Sequence, residues 1–191
     1  MQLRSAMRIL EEDGHLTPAT QLLLGAVSKV PLPLLDAVQV FDRKENWLHF
    51  PWYSKRSGGG AFVMGVRIYA STVLLRDQND SPTSFLLLLA HEVGHLPHAA
   101  RFGSNGSGRA TFIVWAMGHY MISYLRHGRH GHRKARIEQE AERGRWVLRN
   151  LIASTNSDPL LAVLENEGNM STWLVRHEST IDRLHRDYPG W

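Results

Sequence analysis

Residues 85–95 read Phe-Leu-Leu-Leu-Leu-Ala-His-Glu-Val-Gly-His, and this stretch restricts the fold more than any other in the chain. On an α-helix the four-residue spacing of His91 and His95 sends both imidazoles out of one face, with Glu92 beside them, so the two rings can meet a single metal ion. The run Phe85 to Ala90 is apolar on every side, which on a helix calls for burial all round. Two imidazoles at the end of a buried helix are costly to desolvate without partners, and a shared metal partners both. Ser81 is the expected N-cap, with Pro82 in the first turn. Leu96-Pro97 marks the expected end, because a residue before proline is pushed out of the helical region.

The chain contains no cysteine, which excludes disulfides and every Cys-ligated metal site. A metal here has to be held by histidine and carboxylate, and Zn2+ is the expected ion. Three protein ligands with one open position make a catalytic rather than a structural zinc site. In such a site the metal lowers the pKa of water towards neutrality and a carboxylate takes the proton, a role that falls to Glu92.

The third ligand is sought on a later helix, about 134–153, where Ile137, Ala141, Gly144, Leu148 and Leu151 repeat at spacings of four, three, four and three and define a packed face. Three carboxylates cluster at its start: Glu138, Glu140 and Glu142. Measured from the centre of that face, Glu140 lies at roughly 70° on one side and Glu138 at roughly 90° on the other, so periodicity by itself slightly favours Glu140. The two motifs together, His-Glu-Val-Gly-His and Ile-Glu-Gln-Glu-Ala-Glu at 137–142, resemble the Glu-zincin metallopeptidases. The second motif of that family reads Glu-x-x-Ala-Asp or Glu-x-x-Ala-Asn. The resemblance spans residue 65 to about residue 151 and implies that His91, His95 and Glu138 bind zinc, that Ala141 is the small packing residue, and that Glu142, where the family has Asp or Asn, orients a ligand. It also implies a zincin-like domain acting as a zinc-dependent endopeptidase on a protein or peptide. Similar compact domains occur as bacterial effector toxins, among them the C-terminal domains of type VI secretion spike proteins, and in regulators that cleave phage-type repressors. An effector would have a cognate immunity protein as a partner; a cytoplasmic regulatory protease that cleaves a repressor is the alternative that the same resemblance leaves open.

Around these motifs the chain of 191 residues, 43% hydrophobic, suits one α+β domain that is mainly helical with a single small antiparallel sheet. Residues 1–35 are expected to hold N-terminal helices, over 1–12 and Ala19 to Val30. The sheet is expected within 36–76, with strands at Ala37 to Phe41, Trp47 to Phe50, Ala61 to Tyr69 and Thr72 to Leu75 and a flexible link at Gly58-Gly59-Gly60. Either Val66 to Tyr69 or Thr72 to Leu75 would serve as an edge that holds a peptide by strand addition. Residues 76–80 and 101–109 read as loops. Metal-site helices fill 81–153, including a strongly apolar one over Thr111 to Leu125 that ought to be buried, and an amphipathic helix occupies 160–191.

Arg126 to Arg136, Arg-His-Gly-Arg-His-Gly-His-Arg-Lys-Ala-Arg, reads as a solvated loop that carries much of the formal charge of +4. With no aromatic residue interleaved to stack bases, nucleic acid is not an expected partner. A non-catalytic basic binding module that keeps the zinc site is the alternative this segment raises. Tyr124 is the choice for stabilising an oxyanion, ahead of Tyr120, His119, His127, His130 and His132. His98, His177 and His185 read as surface or capping residues. No apolar run is long enough for a membrane helix. The first residues place acidic side chains where a signal peptide would be apolar, so the expectation is synthesis in the cytoplasm, with any export to a target-cell periplasm handled by a dedicated secretion system.

Overall fold

The computed structural model describes residues 9–42, 60–155 and 159–190. Of the sequence expectations, the strand at Trp47 to Phe50, the glycines Gly58 and Gly59, and the first part of the helix over 1–12 lie outside these. The described end of that helix is not helical. Leu10 instead bridges Leu16, with Gly14 at a positive φ of 85° turning the chain between them.

Helix α1 (Pro18–Ser28) starts where the Thr17 hydroxyl accepts a hydrogen bond from the Thr20 N–H, and it stops at Lys29 in the left-handed region. A short α2 (Leu32–Asp36) follows. Strands β1 (Gln39–Asp42), β2 (Phe62–Met64) and β3 (Arg67–Ala70) form one sheet in the order β1-β3-β2. β2 and β3 are an antiparallel hairpin turned at Gly65, whereas β1 runs parallel to β3 with Val40 opposite Ile68. The sheet is therefore mixed, not antiparallel. β1 and β3 are far enough apart in sequence for the crossover that parallel pairing requires. The central strand is β3, so Val66 to Tyr69 has no open edge for a peptide, and the edge nearer the site is β2.

Thr72 to Leu75 is not a strand, nor 76–80 a loop: together they form helix α3 (Thr72–Asp80). The Ser71 hydroxyl accepts from the Leu74 N–H at 3.4 Å, and a capped start outweighs the strand preference of Thr-Val. Helix α4 (Pro82–Val93) begins after Ser81 as expected. Pro97 does not end the helical path. Gly94 and His95 keep right-handed backbone angles, and Pro97 sits in the first turn of α5 (Leu96–Ala100), where no N–H is needed.

After Asn105, whose side chain accepts from the Gly108 N–H at 2.8 Å, α6 runs from Gly106 to His127. It is not buried. Phe112 and Ser123 face inward, but Val114, Met117, Met121, Ile122 and Leu125 are exposed, Leu125 at 82%. A 3-10 turn at Gly128–His130, α7 (Gly131–Lys134) and α8 (Arg136–Ser154) follow, then α9 (Leu160–Val163) and α10 (Glu167–Asp187). Most of Arg126 to Arg136 is thus helical and is not a loop.

The core gathers α1, α4, α8 and α10 around Leu23, Phe85, Leu89, Leu148 and Trp173, all fully or almost fully buried. α4 and α8 cross at two small residues. A Cβ on Gly94 would come within 2.6 Å of the Ala141 Cα, and one on Gly144 within 2.6 Å of the Ala90 carbonyl oxygen. That close approach brings the end of α4 against the start of α8. No helix among the described residues is long and apolar enough to cross a membrane.

Candidate metal centre

The crossing presents His91 and His95 from α4 and its C-terminal turn to Glu138 in the first turn of α8. His91 Nε2 lies 3.4 Å from Glu138 Oε2, and His95 Nε2 lies 3.6 Å from Glu138 Oε1. All three ligand atoms fall within 4.8 Å of one another. Donors bound at about 2.0–2.2 Å in a tetrahedral zinc site stand about 3.3 Å apart, so two imidazole nitrogens and one carboxylate at these spacings fit a single ion. Glu138, not Glu140, joins the group. Glu140 turns to His98 Nε2 at 2.7 Å and to Arg136 Nε at 2.6 Å.

Glu142, one turn beyond Glu138, places Oε2 3.2 Å from His91 Nδ1, the ring nitrogen facing away from Glu138. Arg145 ion-pairs with Glu142 in turn. A carboxylate behind a ligating imidazole fixes the ring and its tautomer. Burial opposes a charge on His91, but hydrogen bonds to Glu138 and Glu142 and the field of Glu92 outweigh it and raise its pKa to about 9. His95 goes the other way. Desolvation lowers it to about 4, leaving a neutral imidazole at pH 7. Burial also pushes Glu138 up, but the charge and hydrogen bonding of the histidines dominate and hold it well below the usual carboxylate range.

Glu92 is 4% exposed and lies beside the three donors without belonging to them. Desolvation raises its pKa to about 7, partly countered by His91 and reinforced by Glu138. A carboxyl group poised near neutrality suits proton transfer.

The centre opens into a cleft of about 730 Å³ between β2 and α6, whose walls include Val63, Phe112, Met117 and Met121. Tyr124 lines this cleft, half-exposed. Tyr120 and His132 both touch Glu138. The Tyr120 hydroxyl donates to Glu138 Oε1, and His132 Nδ1 lies 3.7 Å from Glu138 Oε2 with its ring stacked on that of Tyr120.

His132 gets there because Gly131 lets α7 press against α6. A Cβ at Gly131 would sit 2.5 Å from the Tyr124 Cα, and Ser123 donates to the Gly131 carbonyl at 2.7 Å. A second opening of about 360 Å³, also bordered by His91, is lined by Arg133, Arg145 and Arg149 as well as Glu142. The basic segment therefore contributes His132 and Arg133 to the walls of the site. Arg145 and Arg149 continue the spacing of Glu138 and Glu142 along α8 (138, 142, 145, 149), a stripe of four, three and four that the sequence carries and that sequence reasoning passed over.

Among the described residues, the other histidines do not join the three donors. His119 packs on Trp115 and His177 on Trp173. His98 and His185 are buried, not on the surface: His98 is held by Glu140, and His185 Nε2 is 3.0 Å from the Ala26 carbonyl. No family model, curated protein or solved structure matches this chain.

Proposed function

We propose that the chain is a zinc-dependent endopeptidase of the zincin type, with His91, His95 and Glu138 as metal ligands and Glu92 as general base. The observation that carries this reading is the convergence of two imidazole nitrogens and one carboxylate within 4.8 Å of one another, with a buried carboxyl group of near-neutral pKa, Glu92, beside them. A bound zinc ion would supply Lewis acidity at the open side of the three donors. Glu92 takes the proton of the attacking water and returns it to the leaving amine. Glu142, clamped by Arg145, keeps His91 oriented. Tyr120, Tyr124 and His132 offer hydrogen-bond donors to a developing oxyanion from the wall formed by α6 and α7. The resemblance to effector domains further supports a role as a toxin delivered to another cell's periplasm and held in check by an immunity protein.

Glu92→Gln tests the chemistry. The amide cannot take a proton and touches no ligand, so the variant should bind zinc like the native protein while cleavage of an unfolded protein falls at least about 100-fold. Atomic spectroscopy gives the metal content and gel densitometry the rate. Full activity in the Gln variant ends the peptidase reading.

A further inference from the structure

The two openings meet at the metal centre, since His91, His132 and Glu138 line both. They differ sharply in chemistry. The larger is walled by Val63, Phe112, Met117 and Met121, and the smaller by three arginines and two carboxylates. Both carboxylates are already engaged, Glu138 with His91 and His95 and Glu142 with His91 and Arg145. Three guanidinium groups line the opening, Arg145 among them already paired with Glu142. Arg149 has no acidic partner among the described residues. Such an opening attracts an anion and repels a cation.

Its distance from the chemistry is set by α8. Arg145 and Arg149 follow Glu138 by seven and eleven residues, roughly 10 and 16 Å along the axis at 1.5 Å per residue. Side chains on a helix lean towards its N-terminus, so both arginines reach back towards the metal centre. An extended peptide advances about 3.3 Å per residue, which puts a group held there roughly two to four residues from the bond at the metal.

We infer that the smaller opening is a carboxylate-recognition subsite: the substrate is a peptide with an apolar residue in the cleft beside α6 and a carboxylate a few residues away on the other side of the scissile bond, bound by Arg149, Arg133 and Arg145. This rests on the peptidase reading for the scissile bond but not for the binding of the carboxylate. An acidic side chain and a free C-terminus present the same chemistry, and the length of the peptide separates them.

The test uses the zinc-loaded full chain and matched fluorogenic peptides. One set scans Glu against Gln two to four positions from a central apolar pair, and another pairs a free C-terminal acid with its amide. Carboxylate forms should be cut with a kcat/KM about tenfold higher than their neutral partners, chiefly through KM, and the preference should shrink with added salt. In Arg133→Gln/Arg149→Gln the ratio of acid to neutral should fall towards one. A preference confined to the free acid assigns the subsite to a chain terminus, and one for internal Glu assigns it to a side chain.

The same peptides are titrated by fluorescence anisotropy into zinc-loaded Glu92→Gln. Tighter binding of the acid forms that depends on the arginines upholds the subsite even if nothing is cleaved. Equal cleavage and equal binding of acid and neutral peptides overturns it while leaving the peptidase reading intact.

Discussion

Glu138 and Glu140 lie two positions apart on α8 and meet different partners, so replacing them should separate metal binding from packing. Glu138→Ala removes one of three donors and should weaken zinc binding by at least about 100-fold. Glu140→Ala loses only its pairing with His98 and Arg136, and its affinity should stay within about threefold of native. Competition with a chromophoric chelator gives both values, and the opposite order would transfer the ligand role to Glu140. His91 sets the response to pH. Its pKa in the metal-free fold, about 9, is above the ordinary 6.5. The proton it holds stabilises that fold fully below pH 6.5, and this stabilisation is lost as the pH rises towards 9. A metal needs the neutral ring, so zinc affinity should climb by up to about tenfold per pH unit across the same window from this group, with about one proton released per ion bound near pH 7. Calorimetry in two buffers of different ionisation enthalpy reads the released proton directly, and a binding enthalpy independent of buffer would contradict it.

The close crossing of α4 and α8 predicts that the site can be damaged without touching a ligand. In Gly94→Ala the new methyl group meets the Ala141 backbone, which cannot turn aside, and the helices must separate. Overpacking of this kind costs about 1–3 kcal/mol, and zinc affinity should fall together with the thermal midpoint. α6 predicts the reverse. Because Val114 and Leu125 are 70% and 82% exposed, Val114→Lys and Leu125→Lys should each leave stability within about 0.5 kcal/mol of native in urea unfolding. A loss of several kcal/mol would mean that this face is covered. At this scale the sequence was legible where local chemistry and packing agree. His91, His95 and Glu92 follow from one helical turn, α1 (Pro18–Ser28) lies close to the expected Ala19 to Val30, and the start of α4 is marked by Ser81-Pro82. It misled where one residue decides between two states, as the Ser71 cap does for α3, or where composition shows a need for cover without saying what provides it, as along α6. The parallel pairing of β1 with β3 is a long-range choice that no local pattern encodes. Glu138 was separated from Glu140 by motif rather than by periodicity, because both lie at the margin of the packed face.

Across the whole molecule, a charge of +4 surrounds a centre built mainly of carboxylates and imidazoles. The proposed effector role predicts that native protein directed to the bacterial periplasm slows growth, that the same protein in the cytoplasm does not, and that Glu92→Gln is harmless in both. Equal harm from the native and Gln forms would point to the burden of expression. The position of the three donors along the chain has a further consequence. His91 and His95 are close in sequence, and an unfolded chain can still offer both to a metal, but Glu138 reaches them only when α4 and α8 are crossed. Zinc held by the three donors would act as a clasp between distant parts of the chain, binding the folded state in preference to the unfolded one. Each tenfold excess of free zinc over its dissociation constant should add about 1.4 kcal/mol to the stability. A chelator should lower the melting temperature of the native protein and leave that of Glu138→Ala almost unmoved.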